Sequence, residues 1–298
     1  MNIINDIKEL HVGKVIENAV MKDYTTYKVG GKVICIVIPE DEECLITLLE
    51  YIKTNSIKYK ILGNGSNVIF NDEGFNGVII KLDNFNDLSI LDNKIIVGAG
   101  YMLNKLALRV SRLGLTGMEF ATGIPGTVGG AVYMNAGAYK TDMGYIVTSI
   151  KVLTPDLTIK TMKNSELDFH YRTSFLQKNE DYICLEATIS LVKGNSDEIM
   201  ELIKERNIRR VETQPLEYPS AGSVFRNPEG DFAGRLIEEI GYKGKKIGGA
   251  KVSEKHANFI VNEGGATGED IKKLINEIKE KVKEKYNIEL KVEQEFVD

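Results

Sequence analysis

Alternating short strands and amphipathic helices predict a mixed fold, α/β or α+β, divided into about two domains. Three observations carry this expectation. The chain has 298 residues, and at roughly 150 residues per domain that suggests two units with room for a real core. Its composition, 43% hydrophobic and 27% charged, is that of a globular chain, not a disordered, fibrous or membrane one. Apolar spacing also switches repeatedly between the helical period and the strand period.

Taken in order, residues 40–55 read as a helix with Cys44, Leu45, Leu48, Leu49 and Ile52 on one stripe. Residues 59–62 and 67–70 read as strands around the turn Gly63-Asn-Gly-Ser66, and 78–81 and 94–97 as further strands. Residues 103–113 are helical, with Leu103, Leu106, Ala107 and Val110 aligned. From 150 to 191 the pattern is strands and turns without a helix. A helix follows over 196–210, with Ser196 as its N-cap, Asp197 and Glu198 in its first turn, and Lys204, Arg206, Arg209 and Arg210 gathered at its end. That charge order suits the helix dipole, and the basic cluster reads as a solvated helix end. The Pro- and Gly-punctuated stretch 214–222 reads as a domain boundary. A last helix runs from Thr267 as N-cap to about Tyr286, its stripe of Ile271, Leu274, Ile275, Ile278 and Val282 facing a core.

Several function classes are disfavoured. The formal charge is −5, so no basic excess exists to neutralise a nucleic-acid backbone. Cys35, Cys44 and Cys184 are odd in number and form no CxxC pair, which argues against a disulfide framework or a zinc ribbon. His11, His170 and His256 show no metal-ligand spacing, so no metal site is expected. The N-terminal residues lack the basic and apolar regions of a signal peptide, and no apolar run approaches the roughly 18 residues of a membrane helix. The expectation is a cytoplasmic protein without membrane insertion.

Glycine carries the functional signal. Fourteen of the 28 glycines fall between Gly63 and Gly144. One cluster is Gly63-Asn-Gly-Ser-Asn67, a short loop whose main-chain N–H groups suit an anion. A dinucleotide fingerprint needs a third glycine and a following helix, but position 68 is Val and the next residues are β-prone. No P-loop match exists either. The second cluster runs from Gly117 to Tyr139 around Gly123-Ile-Pro-Gly-Thr-Val-Gly-Gly130, where small side chains let the backbone approach a ligand. Gly126 and Thr127 are its candidate N–H donors. A hairpin turn and tight backbone packing are the competing readings. Two such loops in one chain favour a ligand cradle.

At these residues the sequence resembles the FAD-binding domain of the vanillyl-alcohol-oxidase type. More closely, nearly the whole chain resembles the UDP-N-acetylenolpyruvoylglucosamine reductase (UDP-N-acetylmuramate dehydrogenase) family, from Thr26-Tyr-Lys-Val-Gly-Gly31 onwards. Besides the two loops, Tyr171-Arg-Thr-Ser-Phe175, Pro219-Ser-Ala-Gly-Ser-Val-Phe-Arg-Asn-Pro228 and His256-Ala-Asn-Phe-Ile-Val-Asn262 carry the likeness.

The resemblance implies an α+β protein with a two-subdomain FAD-binding unit over residues 1–205, split near residue 82, and a smaller α+β C-terminal substrate domain over 206–298. It implies FAD as cofactor and NADPH as co-substrate. The cofactor would be held by Gly63, Asn64, Gly65, Ser66, Asn67, Gly123, Ile124, Pro125, Gly126, Thr127, Gly129, Gly130, Asn135, Ala136 and Gly137. The family reaction reduces the enolpyruvyl double bond of a UDP-sugar in peptidoglycan precursor synthesis, and so serves cell-wall biogenesis, cell shape and division in the bacterial cytoplasm. Hydride goes from the reduced flavin to the β-carbon and a proton to the α-carbon. Arg172 would face the carboxylate, since its planar cation suits bidentate binding. Ser223 would deliver the proton, and a C-terminal Glu would complete the catalytic set. Tyr171, Arg226 and Asn227 would bind substrate.

Two carboxylates compete for the last place. Ungapped spacing from Leu290 favours Glu293, but the family usually has an aliphatic residue after this Glu, and here Gln294 follows. Glu295 shares the strand face of Glu293, and Glu293 is the expected carboxylate. Arg172 and Ser223 lie only 51 positions apart, which fits the short branch that lacks an inserted substrate-clamping tyrosine loop. The alternatives are another FAD oxidoreductase of the same fold acting on a different small substrate, or a non-catalytic nucleotide-binding module.

Overall fold

The computed structural model describes residues 2–298. The chain forms two compact units: one takes the chain up to Glu17, Ile34–Asn64 and Gly77–Asn207, the other Asn18–Val33, Gly65–Asn76 and Ile208–Asp298.

Two sheets organise the first unit. One has four strands in the order Gly13–Glu17, Val33–Pro39, Phe75–Ile80, Tyr59–Ile61; the first pair is antiparallel and the last parallel. Helix Glu42–Thr54 accompanies it, with Asp41 accepting the N–H of Cys44 at 2.9 Å as its N-cap. Its stripe of Leu45, Leu48, Leu49 and Ile52 is buried in one core with Val37, Val78 and Ile80. The other sheet is fully antiparallel, ordered Ile159–Lys163, Val147–Leu153, Ile183–Ser190, Lys94–Gly98, Leu88–Leu91. Helices Leu103–Arg112 and Val128–Met134 bury Leu103, Leu106, Val110, Val128 and Val132 in the same core.

The second unit is built on helix Gly268–Tyr286 and a three-stranded sheet of Lys246–Ile247, Ala250–Val252 and Ile260–Asn262. Thr267 and Asp270 form a reciprocal capping box at the helix start. Asp72 adds a second clamp, accepting the N–H groups of Gly268 at 2.7 Å and Glu269 at 3.0 Å. The helix stripe Ile271, Leu274, Ile275, Ile278 and Val282 is buried with Tyr27, Ile69, Val224 and Phe225. Strand Val68–Phe70 pairs in parallel with Glu295–Val297.

The strands flanking Gly63–Ser66 form no hairpin, against the competing reading: Tyr59–Ile61 pairs with Phe75–Ile80, and Val68–Phe70 with the C-terminal strand. Local spacing cannot see partners so distant in sequence. Three features differ from the sequence reading. The helix expected over 196–210 is Ser196–Thr213, and its cap is Asn195, whose Oδ1 accepts from Asp197 N–H at 2.8 Å and Glu198 N–H at 3.3 Å. Within 150–191 one helical turn, Phe175–Lys178, is started by Ser174. Segments 18–33 and 65–76 lie in the second unit although they precede residue 206, because Tyr27 and Ile69 bury in its core.

The fully buried helix stripe yields a first expectation. Leu274→Ala should cost about 2–5 kcal/mol, read from urea unfolding followed by circular dichroism.

Candidate active site

The first glycine loop follows directly from strand Tyr59–Ile61. Lys81 Nζ donates to Gly63 O at 3.1 Å, and Asn64 Nδ2 donates to Pro125 O at 2.6 Å, so the two glycine loops abut. A Cβ on Gly63 would lie 2.6 Å from Thr127 Oγ1, which is why this position has no side chain. Gly65 has φ +64° and would put a Cβ 2.2 Å from Tyr24 O, a position only glycine tolerates. Among the described residues, none accepts a hydrogen bond from the main-chain N–H of Asn64, Gly65, Ser66 or Gly126. Unpaired N–H groups on half-buried and buried loop residues fit an anionic group such as a pyrophosphate.

Other residues of the expected cofactor set have internal work. Leu103 N–H donates to Gly126 O at 2.9 Å and Gly129 N–H to Ala99 O at 2.8 Å, which staples the second loop beside helix Leu103–Arg112. Thr127 is the N-cap of helix Val128–Met134, accepting Gly130 N–H at 3.3 Å. A Cβ on Gly129 would meet Ala99 Cβ at 2.9 Å, and one on Gly137 would meet Thr141 O at 2.4 Å. Ile124 N–H donates to Ala121 O, and Ala136 O accepts from Met143 N–H. Gly123 lies in a turn and Pro125 in the irregular link between these anchors. Asn135 is 1% exposed. Its Nδ2 donates to His170 O at 2.8 Å and its Oδ1 accepts Gly144 N–H at 2.9 Å, so its side chain braces the neighbouring turn.

That turn presents Arg172. His170 and Thr173 exchange main-chain hydrogen bonds at 3.0 Å, looping out Tyr171 and Arg172. Arg172 adopts φ +55°, donates from Nη2 to Gly137 O at 2.6 Å, and its guanidinium lies 5.2 Å from the Tyr171 ring centre. Tyr171 is 51% exposed. Ser174 fixes the far side by donating to Tyr133 O at 2.7 Å. Burial pushes the Asp142 carboxyl above the usual range, against the Gly144 N–H, the Asn135 side chain and the Arg172 charge, which all favour its ionised form. Among the described residues no group of three or more His, Cys, Asp or Glu could hold a metal.

The remaining candidates belong to the second unit. Ser223 follows Gly222 (φ +74°), whose Cβ position has nothing within 4 Å. The Ser223 hydroxyl makes no hydrogen bond among the described residues. Asn258 holds the residues after it: Val224 N–H donates to Asn258 O at 2.9 Å, Phe225 N–H to its Oδ1 at 2.9 Å, and its Nδ2 to Phe225 O at 2.8 Å. The C-terminal segment runs antiparallel alongside, with Glu293 N–H on Val224 O at 2.8 Å and Arg226 N–H on Lys291 O at 2.9 Å. Asn67 Nδ2 donates to Glu293 O at 3.1 Å. Asn227 Oδ1 accepts Ala233 N–H at 3.1 Å and so starts helix Ala233–Glu239. Glu295 N–H donates to Asn67 O at 2.9 Å on strand Glu295–Val297.

Sequence reasoning left two supporting residues without a role. Asn258 lies within the His256–Asn262 motif and Gln294 departs from the family pattern, and no local signal at either position points to its partners. Gln294 is 4% exposed, and its Nε2 donates to Ala221 O at 3.0 Å and Gly222 O at 3.3 Å.

Residues 33–163 match the family model for an FAD binding domain, and residues 214–297 match the model for the C-terminal domain of UDP-N-acetylenolpyruvoylglucosamine reductase. The UDP-N-acetylenolpyruvoylglucosamine reductase of Bacillus licheniformis is 46% identical over 296 residues, covering 99% of this chain and 98% of that protein. That of Anoxybacillus flavithermus is 47% identical over 293 residues, covering 98% and 97%. The crystal structure of UDP-N-acetylenolpyruvylglucosamine reductase from Thermus caldophilus superposes with a TM-score of 0.82 at 36% identity, covering 96% of this chain and 99% of that one. With both domain models matched and such identity over nearly its full length, the chain belongs to the UDP-N-acetylenolpyruvoylglucosamine reductase family.

Proposed function

We infer that this protein is an FAD-containing, NADPH-dependent oxidoreductase that reduces the enolpyruvyl double bond of UDP-N-acetylenolpyruvoylglucosamine to give UDP-N-acetylmuramate for peptidoglycan synthesis. Family membership favours this substrate over a different one, and an enzyme over a passive nucleotide-binding module. No helix among the described residues is long and apolar enough to cross a membrane. We place the enzyme in the bacterial cytoplasm, where its UDP-sugar and NADPH would meet it.

The observation that carries the catalytic assignment is the Ser223 turn: a hydroxyl without an internal partner, on a backbone tied down on both sides. FAD, when bound, supplies the two-electron chemistry, taking hydride from NADPH and passing it to the substrate β-carbon. The N–H groups of Asn64 and Gly126, both in the first unit, would hold its pyrophosphate. The remaining loop residues from Gly63 to Asn67 and from Gly123 to Gly137 would shape the cradle.

Arg172 would bind the substrate carboxylate and offset the negative charge that builds as the double bond is reduced. Its bond to Gly137 O fixes the guanidinium before substrate arrives. Ser223 would give its proton to the α-carbon. A serine is a weak acid, so the transfer needs a strongly basic carbon and a fixed hydroxyl position. Glu293, on the segment hydrogen-bonded beside this turn, is the carboxylate assigned to the same step. Arg226, Tyr171 and Asn227 would complete substrate binding, Asn227 at the diphosphate or sugar.

Three outcomes check this reading. Gly63→Val should force the two loops apart and weaken FAD binding at least about tenfold, measured by flavin fluorescence titration. Ser223→Ala should keep its flavin spectrum, while anaerobic reoxidation of the reduced enzyme by substrate slows by roughly 10²- to 10⁴-fold. Reoxidation at the unaltered rate would remove Ser223 from its role. Glu293→Gln should depress kcat far more than Glu295→Gln; the reverse order would move the assignment to Glu295.

A further inference from the structure

We propose that Gln294 is a positioning residue for the Ser223 hydroxyl, clamping the turn from which the proton is delivered. The inference rests on Ser223 being the proton donor. Its basis is a buried chain of hydrogen bonds. Tyr27, 0% exposed, donates from its hydroxyl to Gln294 Oε1 at 3.2 Å. The Gln294 amide nitrogen then donates to two successive carbonyls, Ala221 O at 3.0 Å and Gly222 O at 3.3 Å.

The direction of this chain is fixed by chemistry. Both carbonyls only accept, so the NH₂ end must face them, and the rotatable Tyr27 hydroxyl supplies the donor that the amide oxygen needs. Asn262 extends the brace by donating from Nδ2 to Tyr27 O at 2.9 Å. No member carries a charge at neutral pH, and burial drives the Tyr27 hydroxyl further from ionisation.

Such a clamp is needed at this position. Gly222 has φ +74° and no side chain of its own, with open space where one would lie, so nothing on that residue restrains its backbone rotation. Asn258 holds Val224 and Phe225 on the other side. Ser223 therefore sits between two side-chain amides, and its hydroxyl, having no internal partner, takes its position from the backbone alone. Proton transfer is sensitive to such placement: an error of about 1 Å can cost about 10²-fold in rate.

The test uses the flavin-loaded enzyme and stopped-flow absorbance, which separates reduction by NADPH from reoxidation by substrate. Gln294→Met should leave reduction unchanged and slow reoxidation by about 10- to 100-fold. Hydrogen exchange should rise over residues 219–225 and stay unchanged in helix Gly268–Tyr286. In a Ser223→Ala background Gln294→Met should cause no further slowing, because residues acting as a unit are not additive. Unaltered reoxidation in Gln294→Met, or an equal loss in the Ser223→Ala background, would overturn the proposal. Should Gln294→Met not fold, Tyr27→Phe decides. It keeps both carbonyl bonds and should slow reoxidation by about 3- to 10-fold, an effect again absent without Ser223; a wild-type rate overturns the proposal. The two readings fail separately: fast reoxidation in Ser223→Ala sinks the proton donor, whereas slow Ser223→Ala with fast Gln294→Met sinks only the clamp.

Discussion

The parallel pairing of Val68–Phe70 with Glu295–Val297 is the constraint on which much of the second unit depends. It joins residues more than two hundred positions apart and brings the end of the first glycine loop beside the C-terminal segment. Asn67, the last residue of the first glycine loop, spans the junction: its side chain donates to Glu293 O and its own carbonyl accepts Glu295 N–H. The C-terminal segment is then in register to hold Val224 through Glu293 and to reach Ala221 and Gly222 through Gln294. The end of the first glycine loop and the Ser223 turn thus share one scaffold of hydrogen bonds.

Side-chain amides recur wherever a turn must be held. Asn135 braces the turn that presents Arg172, Asn258 and Gln294 flank Ser223, and Asn262 ties Tyr27 while accepting the N–H groups of Gly264 and Ala266. An amide offers both a donor and an acceptor and has no charge to bury. In the nearly dry interior of a loop that combination satisfies main-chain groups without the desolvation cost of an ion.

Much of this was legible in the sequence because it is written locally. The helical stripes of Leu45 to Ile52 and Ile271 to Val282 emerged as buried faces, and Thr267 as the cap of the last helix. The glycine loops stood out because main-chain approach leaves a compositional trace. What escaped was non-local. Nothing near Gly63 signals that the two flanking strands belong to different sheets, nor that residues 18–33 pack with the C-terminal part. Asn195 lost to Ser196 as the expected cap because both are good capping residues and spacing could not separate them. Gln294 looked like a flaw in a family pattern until its partners, Tyr27 and Ala221, were in view.

Arg172 sits in the left-handed backbone region with φ +55°, where an ordinary side chain costs about 1–2 kcal/mol. Glycine would release that cost, at the loss of the bond to Gly137 O, the contact with the Tyr171 ring and the positive charge beside Asp142. The guanidinium is thus presented from a turn whose backbone shape is upheld by side-chain contacts, not by helix or strand pairing.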